Sequence, residues 1–184
     1  FKSLFVIALP IILQNLMQST VNMLDTLMVG QLGSVEIASV GLGNQIYMLL
    51  NMVLFGISSG GAIFIAQFWG KKENSGIWKM EGVMFSFSIV IALIFTFASV
   101  FFPKFLIGLY SKDFHVIEIG ARYLRIVAFS FPFFAMSFAF SMALRSTEHV
   151  KLPMVATMIS LVLNAILNYL LIFGIGFFPS LGIV

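Results

Sequence analysis

Five long apolar segments constrain this chain more than any other feature of its sequence. A helix that crosses a membrane needs about 20 mostly apolar residues. The segments run over about Leu4–Val29, Val35–Trp69, Ile77–Phe102, Ile117–Leu144 and Leu152–Phe173. Strands of membrane barrels are about half that long and alternate apolar with polar residues, a pattern these segments lack. The sequence therefore predicts an all-α integral membrane protein, a bundle of transmembrane helices.

The composition supports this prediction and excludes several other classes. Of the 184 residues, 60% are hydrophobic and only 9% are charged, whereas soluble domains average about 25% charged residues. Cysteine is absent, so disulfides and thiolate metal sites are excluded. The net charge of +3 is too small to indicate a nucleic-acid partner.

The two ends of the chain predict that it is part of a longer protein. The first residue is Phe1, and the last residues, "PSLGIV", resemble the entry to another apolar segment. We therefore expect a sixth helix to begin after Gly182, and residues 1–184 to form one incomplete N-terminal lobe. The connector Pro103–His115 is half apolar, which favours a short helical turn at the membrane surface.

The basic residues predict the orientation of the chain, because positive charge accumulates on the cytoplasmic side. With the N-terminus inside, the cytoplasmic regions contain Lys2, Lys71, Lys72, Lys79, Arg145 and Lys151. The opposite side then contains Lys104, Lys112, Arg122 and Arg125. This bias predicts a multi-pass protein of the plasma (or bacterial inner) membrane with a cytoplasmic N-terminus.

A polar stripe runs along the first segment and ends in "VNMLDTLMVG". At about 100° per residue, seven polar side chains fall within less than half of the helix circumference. They are Gln14, Asn15, Gln18, Ser19, Asn22, Asp25 and Thr26. Such a stripe faces the interior of a bundle or a water-filled cavity. Amides in it can also join helices by hydrogen bonds, but a carboxylate costs at least ~2.5–3.5 kcal/mol to insert. Asp25 is thus the strongest candidate for a functional group.

Two asparagines on the fifth segment are candidate partners of Asp25. Asn164 and Asn168 are four residues apart and so share a helix face. Asn168 precedes Gly174 by six residues and Asp25 precedes Gly30 by five, which predicts a similar depth in the membrane. One carboxylate and two amide oxygens favour either a Na⁺ site or a proton-binding site. Hydrogen bonds between helices are the alternative explanation of the asparagines.

The order of motifs along the chain adds a family resemblance. The motifs are "ALPIILQNLMQSTVNMLDTLMVGQLG", "ASVGLGNQ", "GGAIFIAQFWGKKE", "ALRSTEHVKLPM" and "NAILNYLLIFGIGFFPSLGIV". Each motif is degenerate, but five in register over nearly the whole chain are fairly specific. In these motifs the chain resembles the N-terminal half of MATE (multidrug and toxic compound extrusion) transporters.

The resemblance implies two six-helix lobes around a cleft, with this chain supplying about five helices of the first. It implies export of organic, often cationic, compounds in exchange for Na⁺ or H⁺. The family's first-helix acid in D-T-x-M-x-G matches Asp25, and its polar fifth-helix pair matches Asn164 and Asn168. Some members have Asp at the second of these positions. Because position 168 is Asn in this chain, the site carries one formal negative charge fewer than it does in those members.

Further polar residues are candidates for lining a cavity or binding substrate. On the first segment they are Gln14, Gln18, Asn22 and Thr26, and on the second Gln45 and Asn51. Amides in the second segment also suit hydrogen bonds between helices. The small residues of "FGISSGGAIFIAQ" favour close helix packing. The eleven methionines suit either a wall that adapts to varied ligands or ordinary contact with lipid.

Three alternative functions are weighed against multidrug export. A related flippase for lipid-linked saccharides is expected to line its cavity with Arg and Lys, which segments one, two, three and five lack in mid-helix. An intramembrane enzyme needs a second catalytic group beside Asp25, and only amides are available, so no enzyme is expected. A passive channel stays open as an alternative. We expect small organic cations and the bilayer as partners, no nucleic acid, no cofactor besides the coupling ion, and a monomer when full length.

Overall fold

The structure is a computed structural model that describes residues 12–13, 15–23, 26–27, 30 and 33–173, without the side chains of 165 and 168–173. Helices occupy most of this range, and no strand occurs within it. They are α1 (Ser34–Gly70), α2 (Asn74–Phe101), α3 (Pro103–Gly108), α4 (Phe114–Val127), α5 (Phe131–Ser146) and α6 (Lys151–Phe173). Residues 15–23 are also helical. The predicted all-α fold is confirmed.

The helices correspond closely to the apolar segments. The predicted segments Val35–Trp69, Ile77–Phe102 and Leu152–Phe173 coincide with α1, α2 and α6. The helical stretches Ser34–Gly70, Asn74–Phe101 and Phe114–Ser146 are long and apolar enough to cross a membrane, judged by length and composition. Half of the predicted segment Leu4–Val29, and the expected sixth helix, lie outside the described residues.

The chain divides into two compact units. One unit is Ala38–Thr147, and the other comprises the described parts of Phe1–Ile37 and Glu148–Val184. That residues 1–184 form a single N-terminal lobe stays a prediction.

In the unit Ala38–Thr147, α1 buries one narrow stripe of its surface. The stripe recurs every three or four residues, as one face of an α-helix does. It consists of Ser39, Gly43, Ile46, Leu50, Leu54, Ser58, Gly61 and Ile65. A Cβ on Gly43 would lie 2.7 Å from the ring of Tyr123 on α4, and one on Gly61 would lie 2.8 Å from Met84 Sδ on α2. Glycine at these positions lets the neighbouring helices approach, which supports the packing interpretation of the small residues.

Helices α2 and α5 pack together through small side chains. The buried residues of α5 follow one another at intervals of four: Phe131, Ala135, Ala139 and Ala143. On α2 the buried residues include Ser88, Ala92 and Ser99. Small residues permit short distances between helices in membranes, where dispersion contacts replace the hydrophobic effect. The hydroxyl of Ser99 has no hydrogen-bond partner among the described residues, so its small size accounts for its place here.

The predicted fourth segment, Ile117–Leu144, is interrupted in the structure by a 3₁₀ turn over Ala128–Ser130. Pro132 has no N–H and cannot bond to the carbonyl of Ala128, four residues earlier. That carbonyl accepts instead from the Phe131 N–H and from the Thr96 hydroxyl of α2, at 3.1 Å. The same hydroxyl lies 2.8 Å from the Ala92 carbonyl oxygen of its own helix. Thr96 thus links the interrupted turn to α2, with its single hydroxyl proton shared between the two carbonyl oxygens.

The connector after α2 forms the expected short helix, α3, and then the N-terminal cap of α4. The Asp113 carboxylate accepts from the backbone N–H of His115 at 2.9 Å and of Val116 at 3.5 Å. Such a cap satisfies donors that the first helical turn leaves free. The Ser39 hydroxyl of α1 donates to the Val116 carbonyl at 3.3 Å, which fixes the start of α4 against α1.

Candidate substrate and cation-coupling site

Part of the polar stripe on the first segment lies within the described residues. The Gln18 side-chain amide donates to the Asn22 amide oxygen at 3.2 Å, and the Thr26 hydroxyl donates to the Asn22 carbonyl at 2.8 Å. The three residues follow one another at intervals of four, so they lie in one row along the helix. All three side chains are exposed. The predicted row of polar groups therefore exists at Gln18, Asn22 and Thr26.

Two of the predicted stripe residues, Gln14 and Asp25, lie outside the described residues. The helical residue Thr26 directly follows Asp25 in the chain. The prediction that Asp25 binds the coupling ion stays a prediction.

The two asparagines of the fifth segment lie on α6. Asn164 is exposed, and the side chain of Asn168 is not among those described. Leu161, three residues before Asn164 on the same helix, is only 6% exposed. The prediction that Asn164 and Asn168 join Asp25 at an ion site stays a prediction.

Helix α1 has two exposed faces of different chemistry beside its buried stripe. One face, called here the amide–methionine face, consists of Asn44, Met48, Asn51, Met52 and Phe55. The other exposed face is mainly apolar and includes Leu49, Val53 and Ile63, with the exposed Gln67 in the same sector. At about 100° per residue the two faces are separated by about a quarter to a third of a turn. Gln45 lies on the edge between them.

No hydrogen bond within the described part of the chain involves the side chains of Asn44, Gln45 or Asn51. Asn51 is half-buried, whereas Asn44 and Gln45 are exposed. An amide left without a partner in hydrocarbon is unfavourable. These amides therefore suit a surface that contacts water, a ligand or a further part of the protein.

The sequence identified Gln45 and Asn51 as candidates but not the shared face. Met48 is 52% exposed and Met52 61% exposed, and both lie beside the asparagines. The spacing 44, 48, 51 and 55 repeats at the helical period and was a signal that could have indicated this face. The missing information was which of several possible faces is buried, and that depends on packing against α2, α4 and α5.

Helix α4 carries a row of charged and titratable side chains opposite its buried face. His115, Glu118, Arg122 and Arg125 are all exposed and recur at intervals of three or four. The stretch Phe114–Ser146 has 33 residues, about 50 Å of helix, against a hydrocarbon core of about 30 Å. The length of the stretch therefore allows these charged turns to extend beyond the core.

A conventional metal site is not found in the described range: no group of three or more His, Asp or Glu side chains lies close enough together there. The predicted cation site, made of amide oxygens and one carboxylate, stays a prediction because Asp25 lies outside that range.

Comparison with known proteins decides the family of this chain. The MatE family model matches residues 10–170. The chain belongs to the MatE family. This confirms the resemblance drawn from the five motifs.

Curated MatE relatives cover almost the whole chain at low identity. The probable multidrug resistance protein YoeA of Bacillus subtilis is 29% identical over 184 residues, which are 100% of this chain and 40% of that protein. The probable multidrug resistance protein NorM of Thermotoga maritima is 28% identical over 183 residues, 99% of this chain and 39% of that protein. The chain thus spans about two fifths of the length of these relatives.

Solved structures of MatE-like transporters share the fold. An outward-facing multidrug resistance MATE family transporter of the MOP superfamily has a TM-score of 0.88 and 20% identity, with coverage of 99% of this chain and 40% of that one. A MOP superfamily transporter from Pyrococcus furiosus has a TM-score of 0.87 at 20% identity, covering 99% of this chain and 39% of that one. That protein is described as having a binding pocket of reverse polarity that suggests a different function. At such identity the likeness establishes the fold alone.

Proposed function

We propose that this chain is part of an exporter of organic cations driven by the inward movement of Na⁺ or H⁺. Membership of the MatE family supports transport, and the relatives described above are named as multidrug resistance proteins. The apolar helices place it in a membrane. The basic bias of the connectors favours the plasma or inner membrane with a cytoplasmic N-terminus.

The observation that carries the cargo proposal is the amide–methionine face of α1. Its amides have no hydrogen-bond partner within the described range, and methionine adapts its shape to varied ligands. Amide oxygens and aromatic rings both attract cations without the fixed geometry of an ion pair. This chemistry suits bulky organic cations of different shapes.

The coupling ion is proposed to bind at Asp25 with help from Asn164 and Asn168. A carboxylate that is neutralised by a proton or by a bound cation costs less to bury than the bare charge. The amides would supply oxygen ligands or hydrogen bonds. The hydrogen-bonded row Gln18–Asn22–Thr26 would give the ion a polar path along the same helix.

The cargo proposal is tested by efflux of a cationic dye from proteoliposomes that contain the full-length transporter. Asn51→Leu removes one amide from the amide–methionine face, and we expect the KM for the dye to rise severalfold. Gln67→Leu, the same kind of amide-to-leucine change at an exposed position of α1 outside that face, is the matched control and should leave KM unchanged. Equal KM values in both variants and the wild type would exclude this face as a cargo surface.

The charged row on α4 favours one second candidate, a flippase for lipid-linked saccharides. Arg122 and Arg125 are exposed, and guanidinium groups bind phosphates well. Transport of lipid-linked phosphates by the full-length protein, abolished in Arg122→Gln and Arg125→Gln, would favour the flippase. Dye efflux that persists in those variants would favour the exporter.

A further inference from the structure

The turn between α1 and α2 holds a lysine in a backbone conformation that glycine normally occupies. Lys72 has a φ of 58°, in the left-handed region that costs L-residues energy. The Glu73 N–H donates to the Phe68 carbonyl at 2.9 Å, and the Lys72 N–H donates to the Trp69 carbonyl at 3.0 Å. These two bonds form the Schellman motif, in which glycine is the usual residue at the left-handed position.

Such strain at a surface position suggests a role for the side chain. A glycine would form the same turn with less strain, so the turn itself does not explain the lysine. What lysine adds is an ammonium group at the point where two membrane-length helices meet.

Basic and aromatic side chains cluster around this turn. Lys71, Lys72 and Lys79 are exposed, and Trp69 and Trp78 are 38% and 72% exposed. Arg145, at the end of α5, belongs to the same end of the unit because nearby Ala143 is part of the buried cluster against which Ile77 and Met80 pack. The acidic side chains here are Glu73 and Glu81. Tryptophan is enriched where protein meets the lipid headgroups, so this end has the composition of a membrane interface with an excess of positive charge.

A groove opens between the end of α1 and the start of α2. Its volume is about 320 Å³, and its walls include the apolar side chains of Phe68, Met80 and Val83. Ser75, Glu73 and Lys79 line it as well. An apolar groove next to ammonium groups has the two chemistries that a phospholipid presents, an acyl chain and an anionic headgroup.

We infer that this end of the unit, called here the basic groove, binds an anionic phospholipid of the surrounding membrane. The headgroup phosphate lies against Lys72 and Lys79, and the first part of an acyl chain lies along Phe68, Met80 and Val83. Juxtamembrane lysines attract anionic lipids in this way. The inference is independent of which cargo the transporter exports.

The test uses the full-length transporter and native mass spectrometry with equal amounts of phosphatidylglycerol and phosphatidylcholine. We expect the wild type to retain phosphatidylglycerol preferentially. Lys72→Gly should weaken its retention roughly fivefold, as expected for one lysine near the headgroups, and Lys79→Gln should do the same. Lys104→Gln, which removes an exposed lysine from α3, is the matched control and should retain the lipid as the wild type does.

The melting temperature separates lipid binding from damage to the fold. Glycine fits the left-handed position better than lysine, so Lys72→Gly should melt no lower than the wild type in detergent. Loss of lipid without loss of stability supports the inference. Unchanged retention in Lys72→Gly and Lys79→Gln, equal binding of phosphatidylcholine, or full displacement of the lipid by millimolar inorganic phosphate would overturn it.

Discussion

Adjacent glycines on α1 allow the helix packing to be tested with one pair of substitutions. Gly61 is buried, and a Cβ there would lie 2.8 Å from Met84 Sδ, 3.1 Å from its Cγ and 3.2 Å from its Cβ. Met84 is itself only 1% exposed and has little room to move. A Cβ on Gly60 would meet no atom within 4 Å. The two sites share a helix and differ in the space around them.

The expected magnitudes follow from two opposing terms. Alanine is favoured over glycine in a helix interior by about 0.8–1.0 kcal/mol, which applies at both positions. Overpacking costs about 1–3 kcal/mol and applies at Gly61 alone. Gly60→Ala should therefore stabilise the protein by up to about 1 kcal/mol. Gly61→Ala should lie below it by about 1–3 kcal/mol.

Thermal unfolding of the full-length protein in one detergent gives the comparison. We expect Gly60→Ala to melt at or above the temperature of the wild type. Gly61→Ala should melt at a lower temperature than Gly60→Ala. Gly61→Ala should lower the melting temperature less when Met84 has also been replaced by alanine, because the smaller side chain relieves the contact. The double variant Gly61→Ala/Met84→Ala is therefore compared with Met84→Ala alone. If Gly61→Ala were as stable as Gly60→Ala, the close approach of α1 to α2 at this point would be refuted.

Three further predictions concern coupling, the helix break and topology. Asp25→Asn should express at wild-type levels, because an amide is cheaper in lipid. It should nevertheless lose ion-driven dye efflux from energised vesicles. Asn168→Ala should lose less of this efflux. If Asp25→Asn exported dye at the wild-type rate, the Asp25 carboxylate would have no part in the mechanism. Thr96→Val should destabilise the protein by about 0.5–1.5 kcal/mol in thermal unfolding because it removes a hydroxyl donor. Thr96→Ser keeps the hydroxyl and should therefore retain most of the stability that Thr96→Val loses. Equal stability of the two variants would contradict the role of the hydroxyl. A single cysteine at Lys71 should react with an impermeant thiol reagent only after permeabilisation, and one at Lys112 in intact cells; the opposite pattern would reverse the orientation.

The sequence predicted the helices well and the break in the fourth segment not at all. Helices α1, α2 and α6 follow directly from the lengths of apolar runs, because insertion into a bilayer depends on them. Pro132 lies in an equally apolar run, and prolines are tolerated in membrane helices. The outcome at Pro132 depends on which groups bond to the freed carbonyl of Ala128. One of them, the Thr96 hydroxyl, is on another helix, 32 residues before Ala128 in the chain.

The candidate site was predictable where it depends on a single helix. The row Gln18–Asn22–Thr26 follows from intervals of four residues, and the structure contains its hydrogen bonds. The amide–methionine face required knowledge of which side of α1 is buried. That is set by neighbours such as Met84 and Tyr123, far away in the sequence.

The buried stripe of α1 fixes the rotation of this helix about its own axis. A roll of about 100° would pull the stripe out of contact with Met84 and Tyr123, and the glycines that allow the close approach would no longer face those side chains. If the full-length protein exports compounds as proposed above, spectroscopic distances between labels on α1 and labels on α2 should stay constant through its transport cycle. We expect such a cycle to move α1 and α2 together.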